Sequence, residues 1–207
     1  GVEPADNLAT QENYEFANYG KNLIHDFWST EAFERWHSSY TSNCDYGGED
    51  GCECPSRKAK IVTAIGMFYD LESPGEFIAD IAKVLAPDGV LVAQLMCLKN
   101  MLAVCDVGNI NHEHLEYYSF KSLQRLFEQN GLEIIDIETN NVNGQSYRLY
   151  ARLRGSTLKV PKGAVKRLLA VEESEKDMDL GKFFAGLEGN KDRCIDFIKK
   201  EVAAGNK

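Results

Sequence analysis

Two imidazoles, a carboxylate and two phenols crowd into one short stretch, "NINHEHLEYYSF", residues 109–120. They are His112, Glu113 and His114, followed by Tyr117 and Tyr118; half of the chain's four histidines are here. An imidazole titrates near neutrality, with an unperturbed pKa of ~6.5, so it can move protons as a general base or acid. A carboxylate beside it can orient the ring and stabilise its protonated form. Plainer readings exist for the same residues. The loop could cap a helix and form surface hydrogen bonds, and Tyr117 and Tyr118 fit packing against a following helix. A metal is not expected, because an i, i+2 histidine pair converges on one ion only in a strand or turn, and no third ligand stands nearby.

The six cysteines fall at 44, 52, 54, 97, 105 and 194. Cys44, Cys52 and Cys54 lie in "CDYGGEDGCEC", whose C-x₇-C-x-C spacing suits a solvated loop better than a zinc site. Cys97 and Cys194 read as small core hydrophobes. With a net charge of −9 and no basic stripe, a nucleic-acid partner is not expected. The longest apolar runs, such as "GVLVAQLM", are far shorter than the ~20 residues needed to span a bilayer. The expectation is a cytoplasmic protein with no membrane segment.

The elements that must position these residues alternate between buried strands and amphipathic helices. "GVEP" reads as a strand end, "ADNLATQENYEFANYG" as a helix closing at Gly20 and "NLIHDF" as a short strand. "STEAFERWHSSY" reads as a helix with Ser29 and Thr30 as cap candidates, and "KIVTAIGMF" as a buried strand. "SPGEFIADIAKVL" has Ser73 at the N-cap, Pro74 at N1 and Glu76 at N3, a capping box. "APDG" then breaks that helix and turns the chain into the strand "VLVAQLM". "SFKSLQRLFEQNG" is a helix capped by Ser119 and ended at Gly131. "LEIIDIETN" and "SYRLYARLRG" are strands joined so tightly that they must be antiparallel. Charged helices follow beyond residue 160.

This order predicts an α/β fold: a mostly parallel sheet, helices on both faces and a closing antiparallel hairpin. It resembles the Rossmann-like class I S-adenosylmethionine-dependent methyltransferases. The match is most specific in "IVTAIGMFYDLESPGEFIADIAKVLAPDGVLVAQLM", "NHEHLEYYSFKSLQRLFEQNGLEIIDIE" and "NGQSYRLYARL", which resemble the sugar C-methyltransferase family, enzymes that methylate a carbon of a nucleotide-linked keto-deoxysugar. The likeness runs from "GVEP" to about residue 154. That suggests a methyltransferase domain over 1–155 and the helical start of a C-terminal domain over 156–207. By the same likeness the first strand, its glycine loop and most of the C-terminal domain are lacking, so the chain looks like a piece cut at both ends. Loss of a central strand would leave sheet edges with unpaired backbone groups and exposed apolar side chains, to be closed by a shift of the sheet or by a second copy of the chain, a homodimer.

The resemblance implies roles residue by residue. S-adenosyl-L-methionine would be held by Glu3 at its ribose, Asp26 near its adenine, and Ala64, Ile65 and Gly66 along the cleft. A nucleotide sugar is the implied substrate. His114 would take the proton next to the ketone, with Glu113 and His112 supporting and a polar group stabilising the enolate. Asn111 stands where the family often has an aromatic residue. The family's "GG-S-x-R" loop appears as Gly144-Gln145-Ser146-Tyr147-Arg148, with its second glycine replaced. Ser146, Arg148 and Tyr117 join Asn111 as candidate substrate contacts, with Arg148 suited to a phosphate. Three other readings stay open: an O- or N-methyltransferase of a small molecule, which needs no enolate; a non-catalytic α/β binding or assembly module; and a sugar-nucleotide oxidoreductase, disfavoured by the absent G-x-G-x-x-G.

Overall fold

The computed structural model describes Val2 and residues 23–42, 58–142 and 145–206. Among them run α1 (Thr30–Ser42), β1 (Ala59–Ile65), a 3-10 turn (Phe68–Asp70), α2 (Pro74–Val84), β2 (Leu85–Met96), α3 (Leu98–Ala103), α4 (Phe120–Gln129), β3 (Leu132–Asn140), β4 (Ser146–Leu153), α5 (Ala164–Glu175) and α6 (Leu180–Ala203). The sheet order is β1-β2-β4-β3. β1 and β2 are parallel, and β4 runs antiparallel to both β2 and β3. The expected α/β class and closing hairpin are therefore present, but the sheet of the described residues is not mostly parallel: only β1 and β2 run the same way, because the hairpin's β4 inserts beside β2.

The core lies on one face of the sheet. Ala64, Leu91, Ala93, Leu95, Tyr147, Leu149 and Ala151 point into it, against Ile78 and Ile81 of α2 and Phe120, Leu123 and Phe127 of α4. Phe68 is its hub, with ring centroids 5.9 Å from both Phe77 and Phe127 and 5.5 Å from Tyr118. Each such side chain contributes about 1.5–3 kcal/mol when fully buried. α5 packs against β3, with Leu168 and Val171 lying against the core, and is fastened there by a two-pronged ion pair. Arg167 Nε and Nη2 donate to the buried Asp136 of β3 at 2.7 and 2.5 Å.

Helix starts follow the sequence in two cases of three. Ser29 Oγ accepts from Ala32 N at 3.0 Å, and Ser119 Oγ from Ser122 N at 3.2 Å. Ser73 occupies the N-cap of α2, but its side chain makes no cap hydrogen bond, so that capping box does not form. "APDG" does not separate helix from strand. β2 begins at Leu85, and its pairing with β1 jumps from Ala59↔Leu85 to Ile61↔Val90, so residues 86–89 form a bulge inside the strand. Gly89 permits this, since a Cβ there would lie 2.7 Å from Ala59 O. α3 was not anticipated. "NLIHDF" is no regular strand; Ile24 makes an isolated parallel bridge to Val2. Cys97 is buried as expected, but Cys194 is exposed on α6, which offers it no core to enter. The Cys44, Cys52 and Cys54 loop and the 5–20 helix lie outside the described residues.

Among the described residues β1 is an edge strand. Ile61 and Ile65, both on its outer-facing side, are 67% and 59% exposed. Among the described residues no helix is long and apolar enough to cross a membrane.

Candidate active site

β2 delivers the chain to α3 at the carboxyl edge of the sheet, where open α/β folds bind ligands. The loop from Val104 to Ser119 then returns to α4. It is held mostly by its own polar groups. Asp106 accepts from Gly108 N at 2.8 Å and Asn109 Nδ2 at 2.6 Å. Asn111 Oδ1 accepts from Glu113 N at 2.8 Å and His114 N at 3.1 Å. Asn111 thus shapes the turn that presents both residues. The far end of the loop is anchored on the 3-10 turn, where Leu115 N and Glu116 N donate to Tyr69 O at 2.9 and 3.1 Å.

His114 is the one half-buried member of the histidine pair; His112 and Glu113 are exposed. Its Nδ1 lies 2.8 Å from Asn109 O. A carbonyl oxygen can only accept, so Nδ1 carries the hydrogen, and in the neutral ring Nε2 keeps its lone pair. Tyr117 Oη donates to the same carbonyl at 3.1 Å. The Tyr69 ring packs on the imidazole with centroids 4.4 Å apart.

Two acids converge here. Burial raises the Asp70 carboxyl above its ordinary value, His114 draws it down and Glu113 pushes it up again. Burial, reinforced by Asp70, also raises the Tyr69 phenol, which stays a protonated donor.

Gly66 ends β1 at φ +70, a conformation that suits glycine. A Cβ there would stand 3.9 Å from Tyr69 Oη, so Tyr69 lies between this turn and His114. Gly66 N donates to Gln94 O at 2.9 Å. The Gln94 side chain accepts from Arg148 Nε and Nη2 at 3.1 and 2.9 Å. Ala64 is buried under the turn, while Ile65 and Gly66 lie open. An exposed isoleucine beside a side-chain-free turn fits the flat, largely apolar face of an adenosyl group.

The structure thus brings His114, Glu113 and Tyr117 together, and it links Gly66 to Arg148 through Gln94. Ser146 is buried and donates to Val142 O at 2.8 Å. Asp26 accepts from Phe27 N at 2.8 Å and pairs with Arg35. Glu3 lies outside the described residues. Sequence reasoning missed Tyr69, Asp70, Gln94 and Asn109. For the first two the signal was their place just after β1, where "MFYDL" leaves the carboxyl edge of the sheet.

Known proteins resemble this chain over part of its length. The family described as methyltransferase domain matches residues 5–137. C-methyltransferase NovU of Streptomyces niveus is 32% identical over 117 residues, which take in 56% of this chain. The match spans only 28% of NovU's length. Among solved structures, TnmH is 15% identical with a TM-score of 0.39, covering 59% of this chain and 39% of its own. Magnesium protoporphyrin IX methyltransferase ChlM from Synechocystis PCC 6803 with bound SAH is 12% identical with a TM-score of 0.37, covering 60% of each chain.

Proposed function

The chain belongs to the methyltransferase domain family, and on that premise we propose that it is part of an S-adenosyl-L-methionine-dependent C-methyltransferase acting on a nucleotide-linked keto-deoxysugar. The observation that carries the reading is the His114 ring, fixed through Nδ1 with its Nε2 lone pair free to take a proton. The likeness to a C-methyltransferase supports transfer to carbon.

When bound, the cofactor supplies the electrophilic sulfonium methyl. The chain's own residues do the rest. His114 Nε2 accepts the proton from the carbon beside the ketone. Glu113 and Asp70 supply the negative charge that stabilises the resulting imidazolium. The protonated phenol of Tyr69, between His114 and Gly66, is the candidate donor to an enolate oxygen. Ala64, Ile65 and Gly66 flank the adenosyl group, and Asp26 is the candidate for its adenine. Arg148, held by Gln94, is the candidate for the nucleotide phosphates, while Ser146, whose hydroxyl donates to Val142 O, steadies the start of the same strand. Asn111 and Tyr117 shape the wall of the loop, and His112 is a further donor at its rim.

Deuterium exchange tests this directly. A nucleotide-linked keto-deoxysugar is incubated with the protein in D₂O, and loss of the proton next to the ketone is followed by NMR. Exchange catalysed by the parent and slowed about 10²–10⁴-fold in His114→Gln is expected. No exchange with the parent, or equal exchange in the variant, would sink the base assignment and favour transfer to oxygen or nitrogen.

A further inference from the structure

Glu175, the last residue of α5, is buried, yet it lies 55 residues downstream of Phe120, the residue that follows the site loop. Both its carboxylate oxygens accept from Phe120 N, at 2.7 and 2.8 Å. Oε1 also accepts from Tyr147 Oη at 2.8 Å. Phe120 is the first residue of α4, so its N–H is one of the groups that a helix start leaves without an internal partner. A carboxylate there gains from the helix dipole and from charge-assisted hydrogen bonds. Tyr147 is buried in β4, and burial, with the Cys97 thiol and Glu175 adding to it, raises its phenol, which remains a donor. One side chain therefore joins α5, the start of α4 and β4.

We propose that Glu175 is a positioning residue for His114: its carboxylate locks the α4 N-terminus, and through it the loop that carries the base. The linkage is short. Phe120 follows Ser119 and Tyr118; Tyr118 O accepts from Leu98 N at 3.4 Å, and the Tyr118 ring packs at a tilt against Phe68, which adjoins Tyr69 in the chain. Tyr69 in turn holds Leu115 N, Glu116 N and the His114 ring. Glu175 itself touches no reacting atom. The catalytic meaning of this lock rests on the reading of His114 as base; the lock itself does not.

The experiment is solution NMR of the four histidine rings, His25, His37, His112 and His114, in the parent and in Glu175→Ala, Glu175→Gln and Tyr147→Phe. In Glu175→Ala the His114 signals shift and broaden, while those of His25 and His37 stay in place. Glu175→Gln, which keeps the shape and one acceptor oxygen, gives a smaller displacement. An unmoved His114 in folded Glu175→Ala, even at a lower Tm, leaves Glu175 a plain stabiliser and overturns the proposal. Uniform movement of all four rings does the same. Should Glu175→Ala not fold, Glu175→Gln decides by the same criteria, since it removes the charge and one acceptor oxygen at Phe120 N; Tyr147→Phe, which spares Phe120 N, leaves His114 in place, and a His114 displaced there as far as in the Glu175 variants overturns the proposal. The readout is the ring's environment, so failure of the exchange experiment and failure of this one are separate results.

Discussion

Gln145 shows what a single residue can reveal. Its φ is +91, in the region that favours glycine. It stands directly before β4, at a φ that a glycine would adopt without strain. Such a conformation costs about 1–3 kcal/mol, and glycine's extra chain entropy returns about 0.5–1 of that. Gln145→Gly is expected to stabilise the protein by about 1 kcal/mol, measured as a higher urea midpoint at unchanged slope. The residues legible in the sequence were those with distinctive chemistry, His114 and Tyr117 among them. Asn109 was not legible, because it acts through its carbonyl oxygen, which every residue has. Tyr69 and Asp70 reach His114 only through the fold, across more than forty positions of chain, and no local spacing marks such a pair.

At the scale of elements, α4 was readable because cap and apolar period agree: Ser119 bonds Ser122 N, and Phe120, Leu123 and Phe127 are all buried. The misreadings share another cause. "APDG" has breaker residues, yet tertiary pairing on both sides draws it into β2 as a bulge. "NLIHDF" has strand composition, but among the described residues it makes one isolated bridge. Asp80 ties α1 to α2, accepting from Thr30 N at 3.2 Å and from Lys83 Nζ at 2.8 Å. Burial pushes its carboxyl up, but the bonds from Lys83 and Thr30 outweigh this and hold it below the ordinary 3.8. With the native value below the unfolded one, the unfolded chain binds more protons in acid. The stabilisation is therefore complete above 3.8 and lost as pH falls through the lower native value. Asp80→Asn should lower the Tm at neutral pH, and the difference should close below the ordinary carboxylate range. A difference that persists there would assign the effect to packing instead.

For the whole molecule, composition and element order were enough for the α/β class and the antiparallel hairpin, since alternating strands and helices leave few topologies. They could not give the uncovered flank of β1, because burial on a sheet face depends on what lies over it. Ile61 and Ile65 line that flank, and exposed apolar edges recruit partners. A dimer that dissociates on Ile61→Lys is expected by light scattering; a monomeric parent at all concentrations would remove the homodimer from consideration. The strand order also bears on synthesis. β4 is the last of the described strands to be made, yet it sits between β2 and β3. Until residue 153 leaves the ribosome, the run "VLVAQLM" has one side without its neighbour, and β3 has none. Nascent chains stalled before β4 should be bound by chaperones and prone to aggregate, and release of eight more residues, Ser146–Leu153, should end that vulnerability.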